Sequence, residues 1–252
     1  MFEIKIAVSN LLSNFMNKLK YVYKWIKGVI FFNYIKVRAR LRVFLGGKVY
    51  YVIGDSHTLC FQHEYFKINH IGPATAYKLG FKKSSTKSRD KVIKILDTLY
   101  KGKPVDVIFV FGELDVRIHI NKASNEKKLD TSEVINETVS SYMNFLEFVK
   151  NKYPLINIYV FNVLPQGEEE NIYNYPFYAS REKRKKIASE MNEKLKKIVK
   201  IKRFNFINVY DQLVDSKGRR IKKFVFDDVH FNRKIMPFVV KVLKNLEEEQ
   251  KK

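Results

Sequence analysis

The chain has 252 residues and is 46% hydrophobic, which allows one sizeable domain with an extension and excludes disorder as the default. A single cysteine, Cys60, excludes an internal disulfide framework and suits a small buried apolar position. The formal net charge of +22 calls for an anionic neighbour without choosing between nucleic acid, an acidic polymer and a membrane surface.

Residues 1–47 differ from the rest. They carry nine lysines and arginines against one acid, Glu3. Val8, Leu12, Phe15, Leu19, Val22, Ile26 and Val29 recur at spacings of four and three, which predicts one apolar helix face. Tyr21, Tyr23 and Trp25 add amphipathic rings. Such a helix packs on the domain or a partner, lies on an anionic membrane, or meets nucleic acid; these readings stay open. No apolar run reaches the ~20 residues that span a bilayer, and no secretory signal is evident, so a cytoplasmic protein, peripheral to a membrane at most, is expected.

From Lys48, after Gly46-Gly47, short apolar runs alternate with helical patterns; the main domain is expected at 48–252. Predicted strands are Val49–Ile53, Phe66–Ile71, Val105–Phe111, Ile156–Val163 and Phe204–Val209. Predicted helices are Thr58–Tyr65, Arg89–Tyr100, Ser132–Lys152, Arg181–Lys200 and Arg233–Glu249, with Ser180 and Asn232 as caps. The third and fourth strands are nearly all apolar, as in parallel strands buried on both faces. The expected architecture is therefore a three-layer α/β/α sandwich on a five-stranded, mainly parallel, flavodoxin-like sheet. In such sheets the turns after the strands converge on one rim, where ligands sit.

The rim carries the chemistry. Gly54-Asp55-Ser56 closes the first strand, and Asp227-Asp228-Val229-His230 lies near the C-terminus. A serine at a strand-to-helix turn needs a base to take its proton, and the base needs an acid to orient it. Ser56, His230 and Asp227 are the candidates, with Asp228 the lesser alternative to Asp227. The polar run Glu113 to His119 follows the third strand; either an internal Glu113–Arg117 or Asp115–Arg117 ion pair shapes it, or it touches substrate. Gln166–Ala179, rich in tyrosine after Glu168-Glu169-Glu170, is an aromatic loop on the same rim. No metal-ligand spacing involves His63 or His70.

With these blocks the chain resembles the SGNH, or GDSL-type, hydrolase superfamily of esterases, lipases and carbohydrate deacetylases. The resemblance lies in sparse motifs from about Lys48 to Phe238. It implies a nucleophile at Ser56, a base at His230 and an acid at Asp227, with no cofactor. Oxyanion donors fall on the backbone N–H groups of Ser56 and Gly72. The family's third block, Gly-x-Asn-Asp, falls on Gly112-Glu113-Leu114-Asp115 and has lost its asparagine. Leucine cannot donate; such a donor is worth about 2.7–4 kcal/mol of transition-state stabilisation. Arg117 is the first candidate replacement, then Asn162 and His57. Asp55, His57, Glu113, Asp115 and Arg117 are the candidate substrate-binding residues.

The implied activity is hydrolysis or transfer of an acyl ester, with a small-molecule or carbohydrate ester as substrate. A catalytically weak binding or scaffold protein of the same fold is the alternative, and a charge-driven nucleic-acid binder the remoter one; no nucleic-acid partner is expected.

Overall fold

The computed structural model describes residues 23, 26–31, 33–167 and 176–250, and the chain divides into two compact units at Lys48 and Val49. In the first unit, residues 26–31 and 33–44 are helical and a turn at 45–46 ends the helix. The predicted apolar face at Val8 to Val22, with Tyr21 and Trp25, lies outside the described residues, as does most of the aromatic loop (168–175).

The second unit is built on five parallel strands, β1 (Tyr50–Gly54), β2 (Phe66–His70), β3 (Val105–Val110), β4 (Ile156–Phe161) and β5 (Asn205–Ile207), in the order β2-β1-β3-β4-β5. This is the expected flavodoxin-like order. The order reverses direction at β1, so β1 and β3 are neighbours and a crevice opens beyond their carboxyl ends. Helices flank the sheet: α1 (Ala76–Leu79), α2 (Ser88–Leu99), α3 (Ile120–Lys127), α4 (Thr131–Lys152), α5 (Arg181–Ile201) and α6 (Met236–Glu249).

Side chains of successive strand residues enter two separate cores, as the period of two requires. Ile53, Val107 and Phe109 meet Val139, Tyr142 and Phe145 of α4 and Met191 and Leu195 of α5. Val52, Ile108 and Val110 meet Phe61, Tyr159 and Phe161, and Val239 and Leu243 of α6. The sheet is thus fixed from both faces, which makes its carboxyl rim a rigid platform. Asp130 caps α4 through a full capping box with Glu133, and the Ser180 hydroxyl accepts from Lys183 N–H as the sequence predicts.

Three elements depart from expectation. The predicted helix at Thr58–Tyr65 is a 3₁₀ turn, Ser56–Cys60, because Asp55 and Thr58 side chains bond the local backbone and close the turn early. Conversely, the polar run after β3 is helical: residues 113–114 lead into a π turn at Asp115–His119 and then α3. The predicted last helix starts as a 3₁₀ turn, Arg233–Ile235, capped by Asn232, before α6.

Candidate active site

Steric necessity sets the first block. Gly54 lies opposite Val110 in the parallel pairing, and a Cβ there would stand 2.0 Å from the Val110 carbonyl oxygen. Only glycine lets β1 leave the sheet this close to β3. Asp55 N–H then donates to that carbonyl at 3.3 Å, and the Asp55 carboxylate accepts His57 N–H at 2.9 Å. The Thr58 hydroxyl donates to the Asp55 carbonyl at 2.8 Å. These bonds hold Ser56 half-buried at the first position of the turn.

The last block is a tight reversal closed by an antiparallel bridge between Val225 and Phe231. Asp227 Oδ1 accepts Val229 N–H at 2.8 Å and His230 N–H at 2.6 Å. His230 Nδ1 lies 3.0 Å from Oδ1 and 2.8 Å from Oδ2 of the same carboxylate, and His230 Nε2 lies 2.8 Å from Ser56 Oγ. A carboxylate only accepts, so Nδ1 carries the ring proton and Nε2 accepts from the serine hydroxyl. Burial works to raise the Asp227 carboxyl, but the His230 and Val229 donors outweigh it and hold it below its ordinary value. The structure thus brings Ser56, His230 and Asp227 into one hydrogen-bonded line, in the orientation that a nucleophile, base and orienter require.

Two supports for this turn escaped the sequence. The Arg220 guanidinium donates to the Asp228 carbonyl at 2.7 Å. Gly167 lies so close that a Cβ would stand 2.2 Å from that same carbonyl. Neither has a local sequence signal, since each acts only across the assembled fold.

His57 joins the two blocks. It is buried, with Nε2 3.2 Å from the Val229 carbonyl and Nδ1 3.3 Å from Asp55 Oδ1. Both neighbours only accept, so the doubly protonated ring suits the place. Burial opposes that charge, Asp55 favours it, and the ring ends above its ordinary pKa. The His57 ring centroid lies 5.2 Å from that of His230. Cys60, expected to be buried, donates its thiol to the His57 carbonyl, and burial pushes that thiol well up.

Gly72 follows β2 with φ +86°, a conformation glycine adopts freely. Among the described residues no backbone hydrogen bond takes up the N–H of Ser56 or Gly72. Gly112, at φ +112°, sits where a Cβ would meet Val163 Cγ2 at 2.7 Å, and half-buried Leu114 follows two residues on.

The side chains proposed as a replacement donor for the lost asparagine, or as substrate contacts, are engaged elsewhere. Arg117 Nε pairs with Glu113 Oε1 at 2.6 Å, and Nη1 donates to the Pro176 carbonyl at 2.7 Å, so this guanidinium pins the returning rim loop. Asn162 donates to the Val163 carbonyl and accepts Val209 N–H, tying the ends of β4 and β5 together. His57 bridges Asp55 and Val229 as above. Asp115 is fully buried and accepts Ala76 N–H at 2.6 Å and Tyr77 N–H at 3.1 Å, which makes it an anchor for α1. Burial pushes its carboxyl up to about 7 despite these donors. Asp55 likewise serves the turn. Asp55, His57, Glu113, Asp115 and Arg117, the candidate substrate-binding residues, are all buried, and each is bonded to a partner within the rim.

Open space lies beside the serine. A cavity of about 510 Å³ is lined by Ser56, Asp227 and His230 together with Leu59, Gln62, Phe226, Phe231, Asn232 and Arg233. Its walls come from residues that follow the first motif and flank the second on both sides. His70 borders a separate cleft with Lys91 and Lys94.

No protein-family model and no curated protein matches the sequence. Solved structures do match the fold. A GDSL-like lipase from Bacteroides thetaiotaomicron VPI-5482 superposes with a TM-score of 0.55 at 18% identity, covering 81% of this chain and 89% of that one. A proposed acylhydrolase from Bacteroides fragilis NCTC 9343 gives 0.55 at 17% identity, covering 81% and 88%. A protein from Streptococcus pneumonia described as a proposed platelet activating factor gives 0.53 at 20% identity, covering 84% and 90%. With the strand order and the Gly-Asp-Ser turn at the rim, these likenesses give the chain the fold of the SGNH, or GDSL-type, hydrolases.

Proposed function

We propose that this protein is a serine esterase in which Ser56 is the nucleophile, His230 the general base and Asp227 its orienter. The observation that carries the reading is the line Ser56 Oγ–His230 Nε2 at 2.8 Å and His230 Nδ1–Asp227 Oδ2 at 2.8 Å. The Ser56 hydroxyl oxygen attacks the ester carbonyl carbon as its proton passes to His230 Nε2. The carbonyl oxygen gains the negative charge and is met by the Ser56 and Gly72 N–H groups. Collapse breaks the bond to the alcohol, which leaves with the proton from His230, and an acyl-serine remains. Water then repeats the sequence, with His230 as base, and releases the acid. A sugar hydroxyl in place of that water gives acyl transfer by the same steps.

The substrate is a small acyl ester of a polar alcohol, an O-acylated carbohydrate being the best fit. Leu59, Phe226 and Phe231 offer apolar wall to the acyl group, and Gln62, Asn232 and Arg233 offer hydrogen bonds to hydroxyls. The volume suits a compact ligand. No cofactor enters any step.

A fluorophosphonate probe tests the nucleophile: wild type labels and Ser56→Ala does not. Equal labelling of both would make the assignment wrong. Leu114 favours a second reading, a binding protein of the same fold with little catalysis, because Arg117, Asn162 and His57 are all committed to other partners. Ester turnover that is robust and disappears in His230→Ala rules that reading out.

A further inference from the structure

The helical residues 26–31 and 33–44 present an exposed apolar face. Ile26, Ile30, Tyr34, Val37, Leu41 and Phe44 are 44%, 63%, 51%, 60%, 53% and 85% exposed. At about 100° per residue these six fall within an arc of about 80° on one side of the helix. The covered side is a different one. Ala39 is buried, and Phe31, Ile35 and Arg42 are partly so, all roughly opposite the exposed arc.

Charge identifies the occupant. Between Glu3 and Asp55 the chain has no acidic residue. The exposed cations Lys27 and Arg38 border one edge of the stripe, and Arg40 and Lys36 the other, each within about 80° of it. Arg38 donates to the Tyr34 hydroxyl and Lys27 sits 4.5 Å over the Tyr23 ring, so the cationic groups flank aromatic bodies. A second copy of this helix would bring like charges together along both edges. An anionic lipid surface neutralises them while taking up the apolar stripe, with the long cationic side chains reaching the headgroups. No described helix is long and apolar enough to cross a membrane.

We infer that residues 26–44 form a peripheral anchor that lays this stripe into the interface of an anionic bilayer. The test is sedimentation of the full chain with vesicles of phosphatidylcholine alone and of phosphatidylcholine with phosphatidylglycerol in equal parts. Binding is expected to the mixed vesicles only, and to weaken as salt is raised. Lys36→Gln with Arg40→Gln should lower the partition coefficient roughly 25-fold, at about fivefold per cation. Ile30→Glu with Val37→Glu should abolish binding; both positions are exposed, and fluorophosphonate labelling of Ser56 checks that the domain remains folded. Binding that ignores either pair of substitutions, or equal binding to both vesicle types, overturns the inference. So does capture of single-stranded RNA, or self-association through the stripe, without vesicle binding.

Discussion

Replacing Gly54 by alanine should damage stability and chemistry together, and the size of both effects follows from one distance. The new Cβ would stand 2.0 Å from the Val110 carbonyl oxygen, whereas carbon and oxygen normally approach no closer than about 3.3 Å. The strands would have to part by about 1 Å in the middle of a sheet packed on both faces. β1 cannot slide sideways, because β2 pairs along its other edge over five residues. Overpacking of this kind costs about 1–3 kcal/mol, and loss of the Asp55 N–H to Val110 bond about 1 more. The sum of about 2–4 kcal/mol predicts a Tm lower by roughly 4–16 °C for a domain of this size. A Ser56 moved by about 1 Å should also react about 100-fold more slowly. Thermal unfolding and the rate of fluorophosphonate labelling measure the two effects. Gly102→Ala is the comparison: it has φ +68° and open space around it, so it carries backbone strain alone. A Gly54→Ala protein with wild-type Tm and labelling rate would refute the steric account of the Gly-Asp-Ser turn.

Leu114→Asn should raise kcat on p-nitrophenyl acetate by about 10²–10³ if an amide there completes the oxyanion site; an unchanged kcat would mean the two backbone donors already suffice. Asp115 has a folded-state pKa of about 7, above its unfolded value of 3.8, so the folded protein binds the extra proton. Its contribution to stability is present below about pH 4 and lost as pH rises to about 7, by at most about 4 kcal/mol. Urea midpoints across that range should show this slope, and Asp115→Asn should flatten it; a parallel curve for the variant would contradict the assignment. His57 also has a raised folded pKa, so the stability it adds is full below its ordinary range and fades as pH rises through the folded value. His57→Gln should remove that fading and lower kcat while leaving Ser56 labelled, and a variant with wild-type kcat would show that His57 does not position the base. Asp227 runs the opposite way: its depressed pKa means its contribution is full above the ordinary carboxylate range and is lost as pH falls below it. Esterase activity should fail on that acid side, and activity persisting in Asp227→Ala would remove it from the mechanism.

The sheet was legible because β3 and β4 are apolar on both faces and the long helices repeat cleanly. The residues of the Ser56–His230–Asp227 line were legible because each half is a local motif: a strand that stops at Gly54, and an acid three residues before a histidine. The helix at 113–127 was not. Its opening carries Glu113, Asp115 and Arg117, which look like a solvent-facing loop but are buried, Asp115 and Arg117 against partners 38 to 59 residues distant, Ala76, Tyr77 and Pro176. The same long-range pairing turned Arg117 from an expected donor to substrate into a clamp on the rim. Thr58–Tyr65 misled in the other direction. Its helical pattern is real, but Asp55 and Thr58 divert the backbone bonds that would extend the turn.

The reversal that holds Asp227 and His230 has a consequence for how the protein comes alive. Acid and base share one closed turn three residues wide, whereas the serine arrives from 174 residues away. Asp227 and His230 are held by that one turn, whereas on the proposed mechanism Ser56 is activated only once β1 and the turn are docked. Reactivity toward an electrophile is therefore a stopwatch for tertiary assembly, and following it during refolding would time the last long-range closure in the molecule.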